Sequence, residues 1–135
     1  MEVTLQEMLD VREQRVIRQK ELLQQFGGPL ISFTMNIAGP VKTSPLIQAG
    51  FVLSRQQLEA QLKSAGIAVR YREDRSTRAG CEMLYALTGD AEKAKQLCVE
   101  LEDYLPIGRL LDLDVLDADG NKLSREEYGK GCALA

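Results

Sequence analysis

Extended and helical sequence patterns alternate along this chain of 135 residues, and the alternation strongly restricts its fold. Amphipathic spacing predicts helices over 4–26, from 45 to about 63, and from 91 to just before Pro106. Alternating or apolar runs predict strands at 30–37, 67–72, 82–88 and 108–116, the middle two joined as a hairpin. Strands interrupted by helices favour a two-layer α+β domain, with a mixed sheet of about four or five strands packed by about three helices.

Capping residues mark where the helices begin. Thr4, with Glu7 three residues later, is typical of a capping box. Ser44 followed by Pro45 is typical of an N-cap and first helical turn, and Asp90 is a candidate cap for the last helix. The predicted strand at 108–116 is followed by a turn at Asp119-Gly120, after which 122–125 is expected to pair back with it.

The size and charge of the chain predict one domain over 1–135, with 128–135 as a flexible tail. The net charge of -3 argues against a general nucleic-acid binder. No apolar run approaches the roughly 20 residues of a membrane helix. The cysteines form no CxxC pair, and the N-terminus lacks the apolar stretch of a signal peptide. We therefore expect a cytoplasmic protein without nucleic-acid or membrane partners.

The chain contains no histidine. A Ser-His-Asp triad, a Cys-His dyad and a histidine-based zinc site are therefore excluded within it. Any chemistry must use carboxylates, Lys, Arg, Tyr, Ser, Cys or a hard metal ion.

Asp112 and Asp114 are the strongest candidates for such chemistry. The period of two along a strand puts them on one face, roughly 7 Å apart at Cα, while Leu111, Leu113 and Val115 point to the core. Two carboxylates at this spacing can hold Mg²⁺, whose remaining ligands would be waters or substrate phosphates. The alternative is an acidic pair that simply faces solvent.

Basic residues occur in two further patterns. Gly39-Pro-Val-Lys42 precedes the second helix, where free N–H groups, the helix dipole and Lys42 favour an anion; an ordinary turn with an exposed lysine is the alternative. The first helix carries four basic residues opposite its apolar stripe, interpreted as a solvated face: Arg12, Arg15, Arg18 and Lys20.

Several segments, taken in order, resemble the apo-citrate lyase phosphoribosyl-dephospho-CoA transferase family. The most specific is Pro106-Ile-Gly-Arg-Leu-Leu-Asp-Leu-Asp-Val115. The others are Pro29-Leu-Ile-Ser-Phe-Thr34, Gly39-Pro-Val-Lys42, Glu100-Leu-Glu102, Leu123-Ser-Arg125 and Tyr128. The resemblance covers roughly residues 10–128.

The resemblance implies a nucleotidyltransferase-type enzyme, a holo-citrate lyase synthase, and a nucleotidyltransferase-like fold is one form its domain could take. Such an enzyme transfers the prosthetic group from 2′-(5″-triphosphoribosyl)-3′-dephospho-CoA to a serine of the citrate lyase acyl carrier (gamma) subunit and releases diphosphate. The expected metal is Mg²⁺, with Mn²⁺ as a substitute. Asp112 and Asp114 are the implied catalytic and metal residues. The expected substrate-binding residues are Lys42, Gly108, Arg109 and Arg125.

One departure from the family pattern concerns the C-terminus. Members continue with a Pro-Pro-Arg-Arg-Cys stretch, whereas this chain reads Tyr128-Gly-Lys-Gly-Cys-Ala-Leu-Ala135. This difference keeps a second hypothesis open, a truncated module that binds a carrier or CoA derivative without catalysis.

Overall fold

A computed structural model describes residues 2–127, so the predicted tail at 128–135, with Tyr128 and Cys132, lies outside the described residues. The elements are α1 (Leu5–Phe26), β1 (Leu30–Met35), α2 (Pro45–Ser64), β2 (Val69–Asp74), β3 (Glu82–Leu87), α3 (Ala91–Tyr104) and β4 (Leu111–Leu116), with 3-10 turns at Gly108–Leu110 and Arg125–Glu127. No helix within 2–127 has the length and apolarity that crossing a membrane requires.

The predicted helix starts are confirmed by side-chain caps. The Glu7 backbone N–H donates to the Thr4 hydroxyl over 3.1 Å, and the Glu7 carboxylate accepts from the Thr4 N–H over 3.2 Å. Ser44 caps α2 in the same way, and Asp90 accepts from the N–H of Glu92 at the start of α3. These bonds satisfy backbone donors that a helix leaves free in its first turn.

The strands form one sheet in the order β2-β3-β1-β4. The predicted α+β class is confirmed, but every strand pair in the described chain is antiparallel, so the sheet is not mixed. β1 and β2 run in the same direction, yet β3 folds back from β2 and pairs with β1 between them. The order β1-α2-β2-β3-α3-β4 is the ferredoxin-like, or split βαβ, arrangement, preceded here by α1.

Helices cover both faces of this sheet, which makes three layers where two were predicted. α2 and α3 pack on the larger core, whose strand residues include Ile31, Phe33, Tyr85 and Leu113. α1 packs on the opposite face, where Leu22 joins an apolar cluster of strand residues: Leu30, Leu84, Ala86 and Leu116. Even-numbered residues of β1, β3 and β4 thus face α1, and odd-numbered residues face α2 and α3.

The orientation of α1 differs from the prediction. Leu5, Leu9 and Val16 of its apolar stripe remain exposed. Arg15 and Arg18, predicted as solvated, instead face the sheet, where they lie 3.1 Å from Glu82 and 2.8 Å from Glu73. Because these carboxylates are largely buried on the sheet surface, they need cations from the covering layer, and the arginines supply them.

Candidate active site

The acidic pair lies on β4, on the face that α1 covers. Leu111, Leu113 and Val115 are buried in the larger core, while Asp112 and Asp114 point to the other side, as the alternation predicts. Across the sheet, Asp112 is in register with Thr34 of β1, and Thr34 is in register with Glu82 of β3. Asp114 is in register with Ser32 in the next row. A continuous row of polar side chains therefore runs from the acidic pair to Glu82.

β4 is an edge strand, and α3 closes its free edge. The Leu113 N–H donates to Glu102 over 3.0 Å, and Lys95 donates to the Leu113 carbonyl over 2.8 Å. Beyond the turn, the Leu123 N–H donates to the Val115 carbonyl over 2.9 Å, and Lys122 forms a bridge with β4, so the predicted return of the chain is present. These contacts fix the backbone that carries the two aspartates.

The electrostatics of the pair favour a cation. Burial, and then the neighbouring Asp114 carboxylate, raise the pKa of Asp112, although its side chain still reaches solvent. Among the described residues, the cation within 4 Å of Asp114 is the Lys122 ammonium at 3.4 Å, and that side chain is 65% exposed. A bound positive charge would relieve the repulsion between the carboxylates.

The two carboxylates fit a magnesium ion whose coordination is completed by substrate phosphates. Mg²⁺ commonly uses one or two carboxylates and fills its other positions with water and substrate phosphates. Asp112 and Asp114 provide such a pair on one strand face. Within 2–127 no group of three or more acidic, cysteine or histidine side chains is placed to hold a metal alone. The pair would therefore hold an ion together with phosphates.

Two clefts meet at Asp112. The first, which we call the α1 cleft, has a volume of about 170 Å³ and lies between the N-terminal half of α1 and the sheet. Its charged and polar lining residues are Arg12, Arg15, Thr34, Asn36, Lys42, Glu82 and Asp112. Lys42 donates to the Ile37 carbonyl over 2.6 Å, and this contact holds the ammonium in the cleft. The structure thus brings the predicted residues Lys42 and Asp112 together.

The second cleft, the β4 cleft, has a volume of about 380 Å³ and runs along the edge of β4. Its lining residues are Lys95, Glu102, Asp112, Asp114, Lys122, Leu123, Ser124 and Arg125. Arg125 lies 2.7 Å from Asp103 and 3.5 Å from Glu102, so α3 carboxylates anchor it beside the pair. Both aspartates and Arg125, all predicted from sequence, therefore share this cleft.

Gly108 and Arg109 lie outside both clefts, in the 3-10 turn before β4. The predicted strand over 108–116 begins only at Leu111, so Arg109 does not follow the alternation of the aspartates. Arg109 is exposed and forms no hydrogen bond or ion pair within the described residues, so it does not pair with the carboxylates, and its expected contact with substrate stays a prediction. Gly108 is buried against α3, and the structure gives it a packing role.

Sequence reasoning missed several polar residues of these clefts, among them Lys95, Arg12 and Arg15. Lys95 is only 4% exposed, and the sequence around it on α3 does not distinguish it from a lysine at the surface. Arg12 and Arg15 were interpreted as solvated, yet both line the α1 cleft. Their spacing of three residues places them on one helix face, and this was the signal available.

Comparisons with known proteins identify the family of this chain. The family model of apo-citrate lyase phosphoribosyl-dephospho-CoA transferase matches residues 3–132. The chain is 36% identical over 126 residues to the transferase of that name from Citrobacter koseri, covering 93% of this chain and 69% of the relative. It is 35% identical over 126 residues to the protein CitXG of Haemophilus influenzae, covering 93% of this chain and 27% of that protein.

A probable transferase of the same name from Streptococcus pyogenes is 38% identical over 115 residues, which are 84% of this chain and 59% of the relative. The chain thus spans between about a quarter and about two thirds of the length of these relatives. The family model, in contrast, matches nearly all of this chain. The chain belongs to the apo-citrate lyase phosphoribosyl-dephospho-CoA transferase family.

Proposed function

We propose that this chain transfers the phosphoribosyl-dephospho-CoA group from 2′-(5″-triphosphoribosyl)-3′-dephospho-CoA to a serine of the citrate lyase acyl carrier (gamma) subunit. The observation that carries the proposal is the Asp112–Asp114 pair, which a family member holds on a fixed strand at the junction of two cation-lined clefts. The cytoplasmic location and the need for Mg²⁺ or Mn²⁺ stay predictions.

The reaction exchanges one bond to phosphorus for another. The serine oxygen forms a bond to the α-phosphorus of the triphosphate, and the bond from that phosphorus to the bridging oxygen of the diphosphate breaks. Diphosphate leaves with the electron pair, and the serine loses its proton. A bound divalent ion would offset the charge that builds up on the phosphate oxygens.

The residues of the chain supply positioning and charge. Asp112 and Asp114 would hold the ion, because carboxylate oxygens are the ligands that Mg²⁺ prefers. Lys42 faces the same space from the α1 cleft and would bind a phosphate of the leaving group. In the absence of histidine, the β4 cleft offers Asp112, Asp114 and Glu102 as proton acceptors.

The test is the intact mass of an apo-citrate lyase acyl carrier after incubation with the protein, Mg²⁺ and the triphosphoribosyl donor. We expect a gain of one phosphoribosyl-dephospho-CoA group that disappears with EDTA. Asp112→Asn and Asp114→Asn should each lower the rate by at least about a hundredfold while the far-UV circular dichroism is retained.

Asp119→Asn is the matched control, because Asp119 is an exposed acid in the turn after β4 and lines neither cleft. Its rate should equal that of the wild type. Normal turnover in the Asp112 or Asp114 variant would exclude the proposed site. Binding of the apo-carrier without any mass gain would favour the second hypothesis, a non-catalytic module that binds a carrier or CoA derivative.

A further inference from the structure

The α1 and β4 clefts differ in how their positive charges are used. In the β4 cleft each cation already has a partner: Lys95 the Leu113 carbonyl, Lys122 the Asp114 carboxylate, and Arg125 the carboxylates of Glu102 and Asp103. An incoming anion would have to compete with these groups. The β4 cleft therefore offers an oligophosphate few cations that are not already paired.

The α1 cleft is different, because its arginines are not fully engaged. Arg12 is exposed and has no hydrogen bond or ion pair with any residue in 2–127. Arg15 approaches Glu82 through Nε at 3.1 Å without hydrogen-bond geometry, and its two terminal nitrogens form no hydrogen bond within residues 2–127. A guanidinium with free terminal nitrogens can bind a phosphate through paired hydrogen bonds.

Glu82 explains why Arg15 stays in place. Its side chain is only 3% exposed, and the described cations within 4.0 Å are Arg15 and Arg75, at 3.1 and 3.8 Å. A buried carboxylate strongly favours a retained cation partner, so Glu82 fixes the guanidinium at the wall of the cleft. Arg15 is then oriented before any ligand arrives, which lowers the entropy cost of binding.

The charge of the cleft also favours an anion. Arg12, Arg15 and Lys42 contribute three positive charges, and Glu82 and Asp112 contribute two negative charges. The cleft is thus net positive within a chain of net charge -3. Asp112 is the one charged group that this cleft shares with the β4 cleft, so an oligophosphate seated here would end beside the acidic pair.

We propose that the α1 cleft is an oligophosphate-binding site in which Arg12 and Arg15 bind phosphate oxygens and Glu82 is the positioning residue for Arg15. That the natural oligophosphate is the triphosphate of the donor rests on the proposed function. On this assignment the leaving diphosphate lies under α1, and the β4 cleft remains open to the hydroxyl of the carrier.

The first experiment measures binding of inorganic tripolyphosphate by titration calorimetry, at low salt and with EDTA so that no metal contributes. Arg12→Gln should weaken binding about tenfold, the effect of losing one charge-assisted contact. Arg15→Lys keeps a cation for Glu82 but loses the paired geometry, and it should weaken binding by several-fold, roughly three to ten. Lys20→Gln, on the exposed side of the same helix, is the matched control and should bind like the wild type.

The outcomes separate this inference from the proposed function. If tripolyphosphate does not bind, or if Arg12→Gln and Arg15→Lys bind it normally while Lys122→Gln does not, the assignment to the α1 cleft is overturned. In the carrier assay, Arg12→Gln should raise the KM for the donor about tenfold with little change in kcat, because the contact is made in the ground state. An unchanged KM in an active enzyme would refute the role of Arg12 and leave the transferase intact. Tripolyphosphate binding that depends on Arg12, in a protein without transferase activity, would support the cleft and reject the function.

Discussion

Gly108 shows how a single residue connects α3 to the acidic strand. A Cβ built at this position would lie 2.0 Å from the carbonyl oxygen of Glu102 and 3.0 Å from that of Leu101. Both atoms belong to the backbone of α3, so a side chain could be accommodated only if the helix or the turn moved. The absence of a side chain at Gly108 therefore lets the turn before β4 pack directly on the helix that carries Glu102.

We expect Gly108→Ala to lower the free energy of unfolding by about 3 kcal/mol, because overpacking against backbone cannot be relieved by a rotamer change. Gly50 is the matched control. It lies inside α2, and a Cβ there would make an ordinary contact of 3.5 Å with Ile107. Gly50→Ala should therefore raise stability by about 0.5–1 kcal/mol, since alanine favours the helix. Urea unfolding of both variants checks the pair, and equal effects would contradict the packing role of Gly108.

The first helix marks the limit of what sequence patterns can predict at the level of elements. Helix starts follow from local chemistry, and Thr4 and Ser44 were therefore predicted correctly. The side of α1 that faces the protein is decided by its partner surface. Glu73 and Glu82 attract arginines to the sheet, and this tertiary pairing outweighs the burial of Leu5 and Leu9, which stay exposed. The hydrophobic pattern alone could not reveal that surface.

The candidate site was likewise predictable only where local periodicity determines it. The period of a strand fixes the common face of Asp112 and Asp114, so this pair was available from the sequence. Arg125 and Lys42 reach the clefts only through loops that fold back onto the sheet, and their proximity to the pair depends on tertiary structure. Arg109 was placed with the pair by its nearness in sequence, but the 3-10 turn separates it from the strand alternation.

The contact between α1 and β2 depends on one largely buried carboxylate. Glu73 accepts hydrogen bonds from Arg18, Tyr71 and Arg75, and those from Arg18 lower its pKa most, to about 2 from the usual 4.5. A carboxyl whose pKa is lower in the folded state stabilises the fold above pH 4.5, and the stabilisation is lost as the pH falls toward 2. The Glu73–Arg18 pair should therefore be a main source of acid sensitivity in the contact between α1 and the sheet.

Glu73→Gln should lower the free energy of unfolding at neutral pH by about 1.5–3 kcal/mol, the value of hydrogen bonds to a charged group. The difference from the wild type should shrink as the pH falls from 4.5 toward 2. Glu21→Gln is the control, because Glu21 contacts the same Arg18 at 3.3 Å but is 58% exposed. Its effect should stay below about 0.5 kcal/mol. A pH-independent loss in Glu73→Gln would show that packing, not charge, holds the contact.

The molecule as a whole consists of a ferredoxin-like unit with one added outer layer. The unit from β1 to β4 encloses the larger core, in which side chains from the sheet, α2 and α3 are fully buried. In α1, by contrast, Leu22 is the fully buried residue, and much of the remaining contact with the sheet is made by Arg15 and Arg18. The two layers therefore differ in the balance of apolar and ionic stabilisation, and the α1 cleft lies between them.

This difference should be measurable by native-state hydrogen exchange. Amides of α1 should exchange through openings of lower free energy than amides of β1 and β3, because fewer apolar contacts must break. Raising the salt to about 1 M, where the Debye length is about 3 Å, should weaken α1 further, since the side chains of Arg15 and Arg18 are 25% and 27% exposed. The strand amides should change little, because apolar burial is not screened by salt. Equal protection of α1 and β1 at both salt concentrations would mean that the two layers open as one unit. An oligophosphate could then enter the α1 cleft only through the opening that the folded structure already has.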